Sequence, residues 1–220
     1  LGLFEPKHMN YEQQRHNDKA GEPSLTQMTE KALDILNHQN KPFFLMIESG
    51  RIDHSHHDGN AYNALYETIE LSHAVKTVLA NVDLNETLII VTADHSHTFN
   101  MGGYPYRGNP ILGLVKEAKW REPSKIDYAK DDNGNPYTTL SYANGKGYVE
   151  DIKNKVLTQD QVTSPDYLQV AAVPTYEQTH SGEDVAVYAT GAGSYTVHGT
   201  IEQNVIFHIM LHALQLDNEH

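Results

Sequence analysis

The sequence has no cysteine among its 220 residues, which removes disulfides and thiolate metal sites from consideration. It has no apolar run near the roughly 20 residues that a membrane-spanning helix needs. Basic residues are scarce: Lys and Arg number 16 against 29 Asp and Glu, a formal net charge of −13. A phosphate backbone needs a basic face, so this balance argues against nucleic acid as a partner. A secretory signal pattern is missing too, and Leu1-Gly2-Leu3-Phe4 reads as the middle of a longer sequence. Histidine, by contrast, is abundant at 14, and hydrophobic residues at 39% suffice for one sizeable core or a large part of a bigger one.

The histidines are not scattered. Phe43–Ile47 is an apolar run followed by Glu48-Ser49-Gly50-Arg51-Ile52-Asp53-His54-Ser55-His56-His57. A second apolar run, Leu88–Ala93, is followed by Asp94-His95-Ser96-His97. Carboxylates and imidazoles at this density are costly beside a core unless something pairs with them, and a divalent cation does so. Mixed oxygen and nitrogen donors without sulfur fit catalytic zinc better than structural zinc. Asp53 and His57 are four apart, so on one helical turn both reach the same ion. Glu48 points elsewhere and suits magnesium at a second position. Asp94 and His95 are adjacent and converge on an ion only where the backbone turns sharply. A single string of this kind occurs by chance; two, each after a predicted strand, point to a metal centre. His180, before a third apolar run, joins on position alone. His56 and His97 are candidates for orienting ligand carboxylates. His16, His38, His212 and His220 read as surface residues, and His8, His73 and His208 receive no role.

The organisation predicted around these strings is α/β. Ser24 and Gln27 form a capping box for a helix carrying Leu25, Met28, Ala32 and Leu36, which Lys41-Pro42 ends. A strand follows at 43–47, then a helix over Ala61–Ala80, a strand at 88–92, a strand at Glu183–Ala189, and a last helix capped by Thr200 with Gln203. The strands are apolar on both faces, as in a buried parallel sheet, with ligands at their carboxyl ends. Residues 113–172 are polar and rich in Tyr, Asn, Gly and Lys; they read as an inserted subdomain between core parts 1–112 and 173–220. Within it, Thr138–Tyr142 and Tyr148–Asp151 flank Ala143-Asn144-Gly145-Lys146-Gly147, a hairpin signal.

These strings carry a resemblance. Ile47–His57 resembles the VEGGRIDHGHH segment of alkaline phosphatases, and Val91–His97 their VTADHSH segment. Gly102–Gly108 is similar to GGYPLRG, and Thr179–Val187 to THSGEDVAV. Val197-His198-Gly199 and Glu202-Gln203 match the start of the family's terminal helix. The resemblance runs from Leu3 to Leu214 and is nearest the animal-type and related bacterial enzymes. It implies a sandwich of a mainly parallel sheet between helices, with 113–172 as a crown-like insertion at a dimer interface. It implies Asp53, His57 and His180 at a first zinc, Asp94 and His95 at a second, and Glu48 at magnesium. His54 is placed near the bound phosphate and Glu177 at the mouth of the site. Phe4, Glu5 and Glu22 match a calcium pattern, with Glu in place of Asp before Pro23-Ser24 and a slightly longer spacing. The implied activity is hydrolysis of phosphate monoesters through a phosphoserine intermediate, in a periplasmic or secreted homodimer. The family's D-S-A nucleophile motif is absent from these residues, as are its phosphate Arg and remaining ligands. The chain therefore reads as a C-terminal half whose partner is the missing N-terminal half. The alternatives are an inert metal-binding fragment, or a phosphodiesterase or phosphomutase of the same superfamily.

Overall fold

The computed structural model describes residues 1–39 and 41–216, so His220 lies outside the described residues. In chain order its elements are α1 (Glu12–Arg15), α2 (Leu25–Asn37), α3 (Arg51–His57), α4 (Ala61–Asn81), β1 (Leu88–Val91), β2 (Ser96–His97), β3 (Phe99–Met101), β4 (Lys116–Lys119), β5 (Glu122–Tyr128), β6 (Leu140–Gly145), α5 (Gln159–Val162), β7 (Ala171–Pro174), β8 (His180–Ser181), β9 (Tyr188–Gly191) and α6 (Gln203–Ala213). Helices and mixed sheets alternate, as an α/β chain requires. Two compact units form. One holds 1–22, 49–69 and 96–182; the other holds 23–48, 70–95 and 183–216 of the described residues.

The first unit is built on the sheet β3-β6-β7. β3 pairs antiparallel with β6, and β6 runs parallel to β7. Leu140 and Tyr142 of β6 are buried, and Leu114, Leu157 and Val162 form a core cluster against which Tyr167 and Val170 pack. The hairpin expected around 143–147 does not form. β6 ends at Gly145, and Tyr148 instead makes an isolated parallel bridge to Ala171. The turn residues are real, but both neighbours of β6 come from distant sequence. β4 and β5 make a separate antiparallel ribbon, exposed along the whole of β5.

The second unit contains α2, the later turns of α4, and the pair β1–β9. The capping box is present: Ser24 Oγ accepts from the Gln27 N–H at 3.2 Å, and Gln27 Oε1 accepts from the Ser24 N–H at 2.9 Å. The Glu70 carboxylate of α4 accepts from the Thr26 N–H at 2.8 Å, meeting a donor that the first turn of α2 leaves open. β1 and β9 pair antiparallel, Leu88 against Gly191 through Val91 against Tyr188. The parallel arrangement expected here is thus not observed, because two-sided apolarity reports burial and not direction. β9 also starts later than the predicted strand. Gly191, at φ 89°, lies so close to the Thr87 carbonyl that a Cβ would clash with it. Residues 43–47 carry no strand assignment. Phe43, Leu45 and Ile47 are half-buried while Phe44 and Met46 are exposed, the alternation of a strand, yet no described residue pairs with them. α6 begins at Gln203 with Glu202 at its N-cap and no side-chain cap, so Thr200 does not serve as one. Among the described residues no helix is long and apolar enough to cross a membrane.

Candidate metal centre

α3 follows directly on Ser49-Gly50 and sets Asp53 and His57 one turn apart, with His57 Nε2 3.4 Å from Asp53 Oδ1. β2 and β8 supply two more imidazoles. They pair antiparallel with His97 opposite His180, so both side chains leave the ladder on one face. His97 Nε2 lies 2.8 Å from Asp53 Oδ1 and His180 Nε2 lies 3.4 Å from it. His180 Nε2 and His57 Nε2 are 3.0 Å apart. Asp53, His97 and His180 each offer a ligand atom within 4.8 Å of the others. Three imidazole nitrogens thus converge on one carboxylate oxygen, all carried by the first unit.

Burial would raise the Asp53 carboxyl, but the His97 hydrogen bond and the nearness of His57, His97 and His180 outweigh it and hold the group below the usual range. Burial lowers His97, against its hydrogen bonds to Gln178 and Asp53. His56 stacks on His97 with ring centroids 4.8 Å apart. Burial, and then His97, bring its pKa down to about 4. Its Nδ1 lies 2.8 Å from the hydroxyl of Tyr142, which burial pushes up, so the hydroxyl keeps its proton and donates it. His54 is lowered by burial, by His8 and by Arg51, whose guanidinium nitrogen is 3.2 Å from its Nδ1. At the end of α3, Asp58 takes Lys146 Nζ at 2.8 Å and the Tyr11 hydroxyl at 3.1 Å, while the Arg51 guanidinium stacks 3.6 Å over the Tyr11 ring.

The fit to a cation can be judged from these donors. His57 Nδ1 lies 2.7 Å from the Gln178 main-chain oxygen, which only accepts, so the ring proton is on Nδ1 and the Nε2 lone pair faces inward. His97 Nδ1 lies 2.5 Å from Gln178 Oε1, which turns its Nε2 toward the Asp53 carboxylate. The inward lone pair of His57 beside the Asp53 carboxylate is a donor set that suits a divalent metal, with His97 held against that carboxylate.

The other predicted residues are placed as follows. Asp94 and His95 follow β1 in the second unit, His95 Nε2 3.4 Å from Asp94 Oδ2. Glu48 is exposed just before Ser49, and Glu177 is exposed three residues before His180. Phe4 is 46% exposed. Glu5 and Glu22 come together with Asp18, their carboxylate oxygens within 4.8 Å of one another. Glu22 is 4% exposed; its Oε1 accepts from the Asn10 N–H at 2.7 Å and its Oε2 has no hydrogen-bond partner. Sequence reasoning missed Asp18, whose carboxylate holds the Ala20 and Glu22 N–H groups. It also missed Gln178 and Tyr142. Gln178 lies two residues before His180, the same-face spacing of a strand, which is the signal that could have found it.

The sequence model of alkaline phosphatase matches residues 1–216. The chain belongs to the alkaline phosphatase family. It is 43% identical to the tissue-nonspecific alkaline phosphatase of Mus musculus over 214 residues, 97% of this chain and 38% of that protein. It is 41% identical to an alkaline phosphatase of Gadus morhua over 215 residues, 97% of this chain and 42% of that protein. The human tissue-nonspecific isozyme is 40% identical over the same share of this chain, 97%. The chain thus spans about two fifths of the length of these alkaline phosphatases, between 38% and 42%.

Proposed function

We propose that this chain forms part of a metal-dependent phosphomonoesterase and carries a first zinc site at Asp53, His57 and His180. The observation that supports it most is the convergence of imidazole Nε2 atoms on Asp53 Oδ1 at 2.8–3.4 Å, in a chain of the alkaline phosphatase family. Asp94 and His95 would serve a second zinc and Glu48 a magnesium. A calcium would suit Glu5, Glu22 and the Phe4 carbonyl, with Asp18 added by geometry. When bound, such ions supply the positive charge that stabilises a transferring phosphoryl group and offsets a net charge of −13.

The chain's own residues orient and bind. His57 presents a lone pair because its other nitrogen is committed to a main-chain carbonyl. His54, with Nδ1 accepting from Arg51, has its Nε2–H available for a phosphate oxygen. Glu177, exposed three residues before His180, would stand at the mouth of the site. The nucleophile would be a Ser carried by the rest of the family's length, acting through a phosphoserine intermediate. The complete protein on this reading is a periplasmic or secreted homodimer, with 113–172 as the crown-like insertion between core parts 1–112 and 173–220.

Asp53→Ala tests the centre, because it removes the oxygen on which the imidazoles converge. Elemental analysis of the full-length protein should show most of the tightly bound zinc lost and phosphatase turnover lost with it. Unchanged zinc content in that variant would remove Asp53 from the site.

A further inference from the structure

Gln178 is completely buried, one of the largest fully buried side chains among the described residues. A buried amide must meet all its hydrogen-bonding groups, and this one meets them at the metal centre. Its main-chain N–H donates to the His57 carbonyl at 3.0 Å, and its main-chain oxygen accepts from His57 Nδ1 at 2.7 Å. The backbone of Gln178 therefore brackets His57 from both sides. Its side-chain nitrogen donates to Thr98 Oγ1 at 2.6 Å and to the Thr179 carbonyl. A carbonyl cannot donate, so the amide orientation is set, and Oε1 is the atom facing His97 Nδ1 at 2.5 Å. Gly145 lies against the Gln178 Cβ and closes the pocket from behind, where a side chain would sit 3.4 Å away.

We infer that Gln178 is a positioning residue of the metal centre, its main-chain carbonyl orienting His57 and its side-chain amide orienting His97, so that both rings turn Nε2 toward Asp53. This rests on the reading of that cluster as a metal centre. One residue thereby sets the ring orientation of two imidazoles that come from α3 and β2, elements far apart in sequence. His97 in turn holds the Asp53 carboxylate at 2.8 Å, and hydrogen bonds that hold a ligand in place typically govern metal affinity by about 10–100-fold. The two halves of the role are separable. Substitution cannot remove the main-chain carbonyl, so His57 acts as an internal control for His97.

The experiment uses full-length protein with histidine labelled at its ring nitrogens. In Gln178→Met, which keeps length and loses the amide, the His97 Nδ1–H signal of metal-free protein should move or vanish while that of His57 persists. The zinc dissociation constant should rise about 10–100-fold. A folded Gln178→Met with unchanged zinc affinity, or with both histidine signals lost together, would overturn the inference. If that variant does not accumulate folded, Thr98→Val carries the test, since it removes the hydroxyl that accepts from the amide. A smaller loss of zinc affinity with a shifted His97 signal is then expected, and no change in either overturns the assignment. Wild-type protein that binds no zinc would instead defeat the metal-centre reading, leaving the His97 signal to judge the positioning role.

Discussion

Tyr142 shows how a single buried hydroxyl supports the site. It is 2% exposed, and its proton goes to His56 Nδ1, which in turn stacks on His97. Tyr142→Phe would leave that nitrogen buried without a partner, a loss of about 1–3 kcal/mol. Urea unfolding should show that loss, with zinc stoichiometry kept because no ligand is touched; a variant as stable as wild type would mean that His56 finds another donor. Such contacts mark the limit of reading the sequence. Asp53 with His57 was legible because both lie on one helical turn, a local relation. The nearness of His97, His180 and Gln178 depends on β2 meeting β8 and on Gln178 reaching back to α3, relations between residues 44 to 123 positions apart. Asp18 escaped for another reason, since nothing local distinguishes it from a solvated loop acid.

At the scale of elements, the cap of α2 was legible, while the start of α6 and the sheet partners were not. The Ser24–Gln27 box is present because capping involves residues within one turn. Strand direction, by contrast, is decided by a partner, and β1 and β9 turned out antiparallel. The contact that ties α2 to α4 was also hidden in the sequence. Burial would raise the Glu70 carboxyl, but the hydrogen bond from the Thr26 N–H outweighs it, and the group is lowered. A carboxyl depressed on folding stabilises the protein above its unfolded value and loses that contribution as pH falls through the folded value. Glu70→Gln should therefore lower stability by about 1–2 kcal/mol at neutral pH. The gap from wild type should close as pH falls below about 4.3. Urea midpoints across that range measure it; a gap that widened in acid would show that the carboxylate is not the stabilising form.

At the scale of the whole chain, several large apolar side chains stand exposed among the described residues. Phe44 is 59% exposed and Met46 66%, on a segment whose alternation is that of a strand, which no described residue pairs with. Phe207 of α6 is 57% exposed. β1 and β9 form a two-stranded sheet, and a pair of strands is only marginally stable without further cover. The family relatives are far longer, this chain covering 38% of the mouse protein. Surfaces of this kind are expected to be closed by the rest of that length, and the chain by itself should bind hydrophobic dye and aggregate. The same accounting governs activity. Hydrolysis through a covalent intermediate needs a nucleophile as well as charge stabilisation, and removing a nucleophile leaves only binding and electrostatics. Ser49, Ser55, Ser96 and Ser181 lie near the candidate ligands in sequence, and none stands in a D-S-A motif, which on the proposed reading carries the nucleophile. The 220-residue chain with zinc and magnesium should thus show no phosphomonoesterase turnover in a chromogenic assay, while the full-length protein shows it. Turnover by the chain alone that disappears when one of those four serines is replaced by Ala would place the nucleophile here instead.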